Sequence, residues 1–493
     1  METLSNKESL VFVLPEAVLA LTVVAAMGLG AFSSQKRSAY VAGVVGLCIA
    51  ILTSVLSFPD KAVFAFRGHF IADGMTAVFR FVFFGCALFT LLFALFSKEI
   101  DERDVPDVVV LVLASTLGMS FMAGASDMVT MFIAMEFVGI LSYVLAGLKR
   151  ESKLSSEAAL KYVIFGAAAS GVALFGLSYL FGITGDTSLV AVREVLQKEK
   201  GFGPIALLAI VMVFSGLFYK TALAPMHMWC PDVYQGAPTP ITAFFSVGPK
   251  AAGFALLLRF CVLTLEGTNV PVLSKGLMLV LGVVSMLSMT LGNLAAFNQR
   301  SVKRLLAYSS IAHAGYMAMG VTTLPAIMAG STDFLGFRAV FFYLVVYMFM
   351  NLGAFFVVSL VVSSLESDDI TQFTALGQRE PFSASLLTLF LFSLTGIPPT
   401  AGFVGKFYLF YAVIAQREAF FYILAFVGIL NSFISLFYYA RILKAMFLER
   451  STDSREVRFS FVATVVLFLL AIPTLLFGIY FSPLLEASAK VLG

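Results

Sequence analysis

Long apolar runs alternate along this chain with short polar stretches, and most runs have about the length that crosses a bilayer as a helix. A hydrocarbon core about 30 Å thick takes about 20 residues at 1.5 Å per residue. Runs of that size fall near 10–30, 39–57, 75–96, 106–124, 127–148, 158–182, 203–224, 239–264, 275–295, 304–323, 337–363, 383–414, 419–447 and 459–481. The pattern predicts an all-α membrane protein with about fourteen transmembrane helices. The run at 383–414 is too long for one straight crossing and contains Gly396, Pro398, Pro399, Gly402 and Gly405, so a broken helix is expected there. A second break is expected at Pro225, just after the run at 203–224.

The runs also group. Five lie between about 106 and 264, and five more between about 275 and 447. In each group the expected break carries a lysine beside proline: Lys220 before Pro225, and Lys406 after Pro398 and Pro399. Interrupted helices in matching positions of two halves point to the inverted repeats of transporters. The expected organisation is a three-helix segment over 1–100, a first five-helix repeat over 101–266, a second over 267–448 and a last helix over 449–493.

Lys and Arg favour alternate connections, at 35–37, 98–103, 148–153, 299–304, Arg379 and 441–458; Arg193, Lys198 and Lys200 count against the bias. With the richer side cytoplasmic and an even number of crossings, both termini lie outside. The connections leave no room for a soluble catalytic domain.

Composition agrees: 60% of residues are hydrophobic and 12% charged, against about 25% charged in a soluble domain. A net charge of +3, dispersed, leaves no footprint for nucleic acid. Cys48, Cys86, Cys230 and Cys261 are far apart, with no CxxC pair to nucleate zinc or an iron–sulfur cluster. The N-terminal stretch lacks a basic region and a small-residue cleavage site, so a retained first span is expected.

Charges inside the runs then stand out, because each costs about 2.5–3.5 kcal/mol to insert. Glu136 lies mid-run and is too short to reach an interface; it is either a protonated, hydrogen-bonded structural residue or the partner of an intramembrane lysine. Lys220 can snorkel from the end of its run, but Pro225 frees a carbonyl near position 221, which must be satisfied by water or protein. Lys250 follows Gly248 and Pro249 well inside a span, and Lys406 occupies a similar setting. His313 is mid-span among small residues, open to a Ser or Tyr partner or to a relay role, and His227 sits in a turn-rich connection. Lys161 lies one turn after Glu157, where an ion pair is the first explanation. Arg80 is expected to snorkel, Asp127 to be interfacial, and Arg441 and Lys444 to belong to a solvated helix end. Glu136, Lys220, Lys250, His313 and Lys406 form a set suited to proton transfer, with water between them. No Ser–His–Asp arrangement, GxGxxG, P-loop or HExxH is present.

These segments are familiar in combination. KTALAPMHMWCPDVYQGAPTPITAFFSVGPKAAGFALL, MFIAMEFVGILSYVL, QRSVKRLLAYSSIAHAGYMAMG and SLTGIPPTAGFVGKFYLF resemble the antiporter-like membrane subunits of respiratory complex I, the proton-pumping NADH:quinone oxidoreductase. The resemblance covers nearly the whole chain. It implies two inverted five-helix repeats, helices 4–8 and 9–13, with helices 7 and 12 broken. It implies that Glu136 is a helix-5 glutamate paired with Lys220, that Lys250 links onward, and that Lys406 leads to the far side. Lys161 matches a helix-6 lysine of the family. A lysine at position 406 and the absence of a long lateral helix after the last span set the chain apart from the M and L branches and favour N. The resemblance further implies no cofactor in this chain, with FMN, iron–sulfur clusters and quinone elsewhere in the complex. The expected partners are an antiporter-like neighbour and a small-subunit bundle, within a bacterial inner membrane. Two alternatives stay open: a membrane subunit of a multisubunit Na+/H+ antiporter, which shares the lysine–glutamate axis, and a carrier for a small metabolite.

Overall fold

The computed structural model describes residues 4–32, 37–59, 61–198, 203–331, 334–450 and 459–490. Of the basic positions counted for orientation, Lys36, Lys200, Arg455 and Arg458 lie outside the described residues. Among the described residues, thirteen helices are long and apolar enough to cross a membrane. They are α1 (Leu14–Phe32), α2 (Arg37–Leu56), α3 (Gly74–Ala94), α4 (Val105–Gly124), α5 (Met128–Ala146), α6 (Lys153–Thr184) and α7 (Gly203–Thr221), then α8 (Thr239–Leu265), α9 (Pro271–Ala296), α10 (Val302–Val321), α11 (Leu335–Leu365), α13 (Ala419–Phe447) and α14 (Phe461–Ile479). The fourteenth crossing, α12, is in two pieces, Pro381–Thr395 and Ala401–Ile414.

Both expected breaks are present. After α7 the chain turns at Ala222, whose φ is +57°, passes Pro225 and resumes as a short helix, Trp229–Gly236. In α12 the first piece ends at Gly396, whose φ of +90° suits a residue without Cβ and lets its N–H return to Phe392 O at 2.9 Å. Pro398 and Pro399 follow and cannot extend the ladder. Five crossings is an odd number. A unit made of α4–α8 therefore hands the chain to α9–α13 on the opposite side, and two such units are necessarily inverted.

Burial sorts the helices. The apolar window of α8 lies wholly inside the protein, and those of α10 and α11 are 89% buried. These three make the axis of the bundle. α1, α2, α6, α13 and α14 cover its flanks, and residues such as Leu21, Phe175, Phe426 and Phe433 face outward. Such faces are stable only against lipid or another apolar surface. At the end opposite the basic connections, β1 (Val63–Ala65) and β2 (Phe70–Ala72) form an antiparallel hairpin beside the start of α3.

Two buried ion pairs hold that end together, and one corrects the expectation for Arg80. Its guanidinium does not snorkel; it is 1% exposed and forks onto Glu16 of α1, at 2.7 and 2.8 Å. Phe12 O accepts a further bond from Arg80 at 2.8 Å, and Ser120 Oγ of α4 donates to Glu16. Along the sequence the guanidinium has no apparent partner, because Glu16 lies 64 residues away. In the second pair, Arg259 of α8 grips both oxygens of Asp73 at the start of α3, and also bonds Thr76 Oγ1 and Ala123 O, each at 3.0 Å. Asp127, expected at the interface, caps α5 by accepting Thr130 N at 2.7 Å, and its side chain is 3% exposed.

Removing one member of such a pair strands a buried charge and costs about 3–5 kcal/mol, whereas replacing both by apolar groups is often neutral. Arg80→Met should therefore lower the thermal unfolding temperature of the detergent-solubilised protein far more than Arg80→Met combined with Glu16→Leu. A double variant no more stable than the single one would show that the pair is not what Arg80 contributes.

Candidate functional site

The buried amines are positioned by the two helix breaks and by α8. Lys220 occupies the last turn of α7 and is 3% exposed. Its Nζ lies against α5 at Gly139, where a Cβ would fall 2.8 Å from the amine. Glu136 stands three residues earlier on α5, so amine and carboxylate share one face of that helix. They do not close an ion pair. Ser170 Oγ of α6 donates to the Glu136 carboxylate at 2.5 Å, a partner that nothing along the chain singles out. Glu136 itself is half-buried, with part of its surface on the flank of the bundle.

The short helix after the first break is the hub between this pocket and the next. Trp229 stacks on Tyr162 with ring centres 4.4 Å apart, and its indole N–H donates to Tyr219 O, the carbonyl preceding Lys220, at 3.0 Å. On the other flank Asp232 accepts Lys161 Nζ of α6 at 2.7 Å through one oxygen and Arg304 of α10 through the other. Lys161 keeps the expected bond to Glu157, at 2.6 Å, so its setting is an ion network rather than the buried axis. His227 is half-buried in the turn itself, and its Nδ1 has no partner among the described residues.

Lys250, 1% exposed, sits in the middle of α8 and donates to Ser310 Oγ of α10 at 2.5 Å. Ser310 in turn accepts the Tyr347 hydroxyl of α11 at 2.8 Å, and the Tyr234 ring of the short helix lies 5.3 Å from the amine. One turn along α10, His313 Nδ1 is 2.7 Å from the Tyr343 hydroxyl, its Nε2 is 3.5 Å from the Tyr439 hydroxyl, and its ring centre is 5.3 Å from that of Tyr347. Tyr439 also bonds Ser309. Lys406, 3% exposed in the second piece of α12, donates to Thr395 O at 2.8 Å and to Ser432 Oγ of α13 at 3.0 Å. Thr395 ends the first piece, so the break hands a carbonyl to the amine. The Tyr316 ring lies 4.6 Å from Lys406 Nζ.

Lys250 is thus bonded into one set of hydroxyls and His313, a turn away, into another, the two in ring contact through Tyr347, while Lys220 and Lys406 occupy flanking pockets of their own. Ser310, Tyr343, Tyr347, Tyr439 and Ser432 were not singled out from the sequence. The available signal was weak: Ser309 and Ser310 one turn before His313, and two tyrosines four residues apart in α11. Chemically, imidazole, amine and hydroxyl are groups that can hold and exchange protons. Among the described residues no cluster of His, Cys, Asp or Glu is placed to hold a metal.

At the end of the bundle that carries the basic connections, a cleft of about 930 Å³ opens between the two halves. Glu99 and Lys303 lie in it. Glu99 accepts Lys149 Nζ at 2.5 Å and Thr239 N, the first helical amide of α8, at 2.7 Å. Lys303 donates to Ala237 O at 2.6 Å. Burial alone would raise the Glu99 carboxyl, but Lys303 and Lys149 outweigh it and hold the group down at about 2.

Comparison with known proteins adds a family to this geometry. Residues 125–435 match the family described as NADH:quinone oxidoreductase/Mrp antiporter, TM. The chain is 42% identical to NADH-quinone oxidoreductase subunit N 2 of Sorangium cellulosum, an alignment that covers 99% of this chain and 98% of that protein. Among solved structures, a chain of respiratory complex I from Thermus thermophilus superposes with a TM-score of 0.80 at 30% identity, over 97% of this chain and 100% of its own. A chain of the Mrp complex from Dietzia sp. shares the fold with a TM-score of 0.85 at 21% identity, over 99% of this chain and 97% of its own.

The Glu99 cluster makes a pH prediction. A carboxyl whose folded pKa is depressed from 4.5 to about 2 adds stability that is complete above the unfolded value and is lost as pH falls through the window between them. The ceiling is about 3 kcal/mol. Between pH 5.5 and pH 3 the unfolding temperature of the wild type should fall more steeply than that of Glu99→Gln, which has no such charge to lose; parallel slopes would remove Glu99 from the acid response.

Proposed function

Because this chain belongs to the NADH:quinone oxidoreductase/Mrp antiporter family of membrane proteins, we propose that it is a proton-translocating membrane subunit of NADH:quinone oxidoreductase, of the kind its relatives named subunit N represent. Those relatives match nearly the whole chain, not one segment of it. The observation that carries the proton reading is the partner set of the buried amines. Lys250 and Lys406 are bonded to hydroxyls and a carbonyl, not to carboxylates. An amine fixed by a carboxylate keeps its proton; one held by neutral groups inside a dry bundle is free to exchange it.

In this reading NADH oxidation and quinone reduction take place in other subunits, where FMN, iron–sulfur clusters and quinone supply the electron transfer. This chain contributes no redox centre. A charge change in an adjoining membrane subunit acts on Glu136, the half-buried carboxylate on the flank, and through it on Lys220 across Gly139. Lys220 passes its proton toward Lys250, with water bridging the pocket. Ser310 and Tyr347 carry it from Lys250 to the His313 ring, Tyr343 takes it on, and Lys406 delivers it to the far side. Lys161 and His227 stand beside this route: Lys161 in the ion network that fixes the short helix, His227 in the turn that allows it. The partners are an antiporter-like subunit on one flank and a bundle of small subunits on the other. The protein spans a bacterial inner membrane with both termini on the outer side. A membrane subunit of a Na+/H+ antiporter is the second reading, because the family includes the Mrp proteins and their fold is shared.

Purification from native membranes in a gentle detergent separates the two readings. Flavin- and iron–sulfur-containing subunits co-purifying in stoichiometric amounts would support the oxidoreductase; small membrane subunits alone would move the chain to the antiporters. Within the assembled complex, Lys220→Ala should reduce NADH-driven proton uptake into inverted vesicles by about a hundredfold, in the range of lost proton-transfer groups. Glu136→Asp should be milder than Glu136→Ala, since the charge survives. Ser310→Ala should slow uptake about tenfold by cutting the link from Lys250 to Tyr347. Wild-type pumping in an assembled Lys220→Ala complex would sink the proposed axis.

A further inference from the structure

The cleft between the halves and the hydroxyl network around Lys250 are linked along one helix, α11. Ser363, Ser359, Phe355, Asn351 and Tyr347 follow one another at four-residue spacing, the oblique ridge that such spacing draws on a helix surface. Their contacts run inward in order. Ser363 lines the cleft and accepts Lys98 N at 3.2 Å. Phe355 is fully buried and meets the Tyr234 ring of the short helix edge-on, at 6.2 Å. Asn351 donates to Ser246 of α8 at 2.5 Å, and Tyr347 bonds Ser310, the partner of Lys250. From Ser363 to Tyr347 is 16 residues, about 24 Å along the axis.

Ser359 Oγ and Asn351 Oδ1 are buried and have no partner among the described residues, and the same is true of Thr239 Oγ1 where α8 begins beside Glu99. A buried polar atom left unpaired costs about 1–3 kcal/mol, and native proteins meet that cost with internal water. Two such atoms on one ridge, leading inward from an open cleft, are hard to explain as packing. A ridge built only to pack would carry Ala or Val there. Between them stands Phe355, the one member of the row that cannot hydrogen-bond.

We propose that this ridge of α11 is the water entrance to the buried proton-transfer site: the cleft admits water as far as Ser359, and Phe355, closed against Tyr234, is the dry barrier between that water and the Asn351–Tyr347 segment. The inference rests on the proton-transfer reading for its purpose, but not for its test. The barrier has a physical rationale. A continuous water column between cleft and Lys250 would let protons run back, whereas one aromatic ring interrupts the column and can be moved by a shift of the short helix it touches.

Single cysteines at positions 359 and 351, each with Phe355 kept, test this in the intact complex, in a Cys48→Ser background that removes the exposed native thiol. A charged, membrane-impermeant maleimide is applied to vesicles that expose the cleft, and labelling of this chain is read by mass. Thiols react as they are exposed to water, so Ser359→Cys should label about tenfold faster than Asn351→Cys while Phe355 is in place. Adding Phe355→Ala, or the milder Phe355→Leu, should bring the rate at position 351 up toward that at 359. Labelling at 359 as slow as at 351 would overturn the entrance, and labelling at 351 that ignores residue 355 would overturn the barrier. Labelling reads water access alone. Failure of the pumping variants would instead strike the proton-transfer reading and leave the labelling result standing.

Discussion

The bond from Lys406 Nζ to Thr395 O shows in one contact the constraint under which the whole bundle is built. In hydrocarbon every backbone carbonyl and amide needs a partner, and a helix supplies partners only while it is continuous. A broken helix therefore creates need at a known place. In α12 the freed carbonyl is met by the lysine one turn beyond the break, and the amine gains a reason to be buried. The break after α7 is treated differently. There the chain folds a short helix back into the bundle and ties it through Trp229 to the carbonyl before Lys220.

That short helix gives the two halves a common part. Its outer side carries Asp232, shared between Lys161 of the first half and Arg304 of the second. Its inner side lays Tyr234 against Lys250 and against Phe355 of α11. A small rotation of eight residues thus bears on the ion network, on Lys250 and on Phe355 at once. Packed interiors respond to such shifts in steps rather than smoothly.

Two kinds of buried charge coexist here, and their partners tell them apart. Arg80 with Glu16 and Arg259 with Asp73 are forked, fully bonded pairs that bind distant helices at one end of the bundle. Each guanidinium meets both oxygens of its carboxylate, a geometry that fixes the pair. Lys250 and Lys406 are set among hydroxyls and a carbonyl instead. Arg with carboxylate suits structure, and Lys with neutral partners suits the exchange proposed for it, since the planar guanidinium fork matches a carboxylate while the ammonium does not demand one.

Apolar run length was enough to read the fold from sequence. A bilayer imposes one length and one backbone solution, so the crossings and the two broken helices were legible. The intramembrane charges were legible too, since a lysine or glutamate in a 20-residue apolar run has few innocent explanations. Their partners were not. Hydroxyls are common in membrane helices, and nothing in the sequence separates Ser310 or Ser170 from the many serines that bond their own helix. Arg80 was misjudged for the same reason: whether a cation near the end of a run reaches water or a carboxylate depends on which helix lies beside it. The Glu136–Lys220 pair was implied by the family resemblance; in the structure Ser170 holds the carboxylate and the amine lies against Gly139, with no direct bond between the two. Sequence determines where charge enters the membrane, because burial along one helix is a local property; what each charge meets there is set by neighbours tens to hundreds of residues away, and only the assembled bundle chooses them.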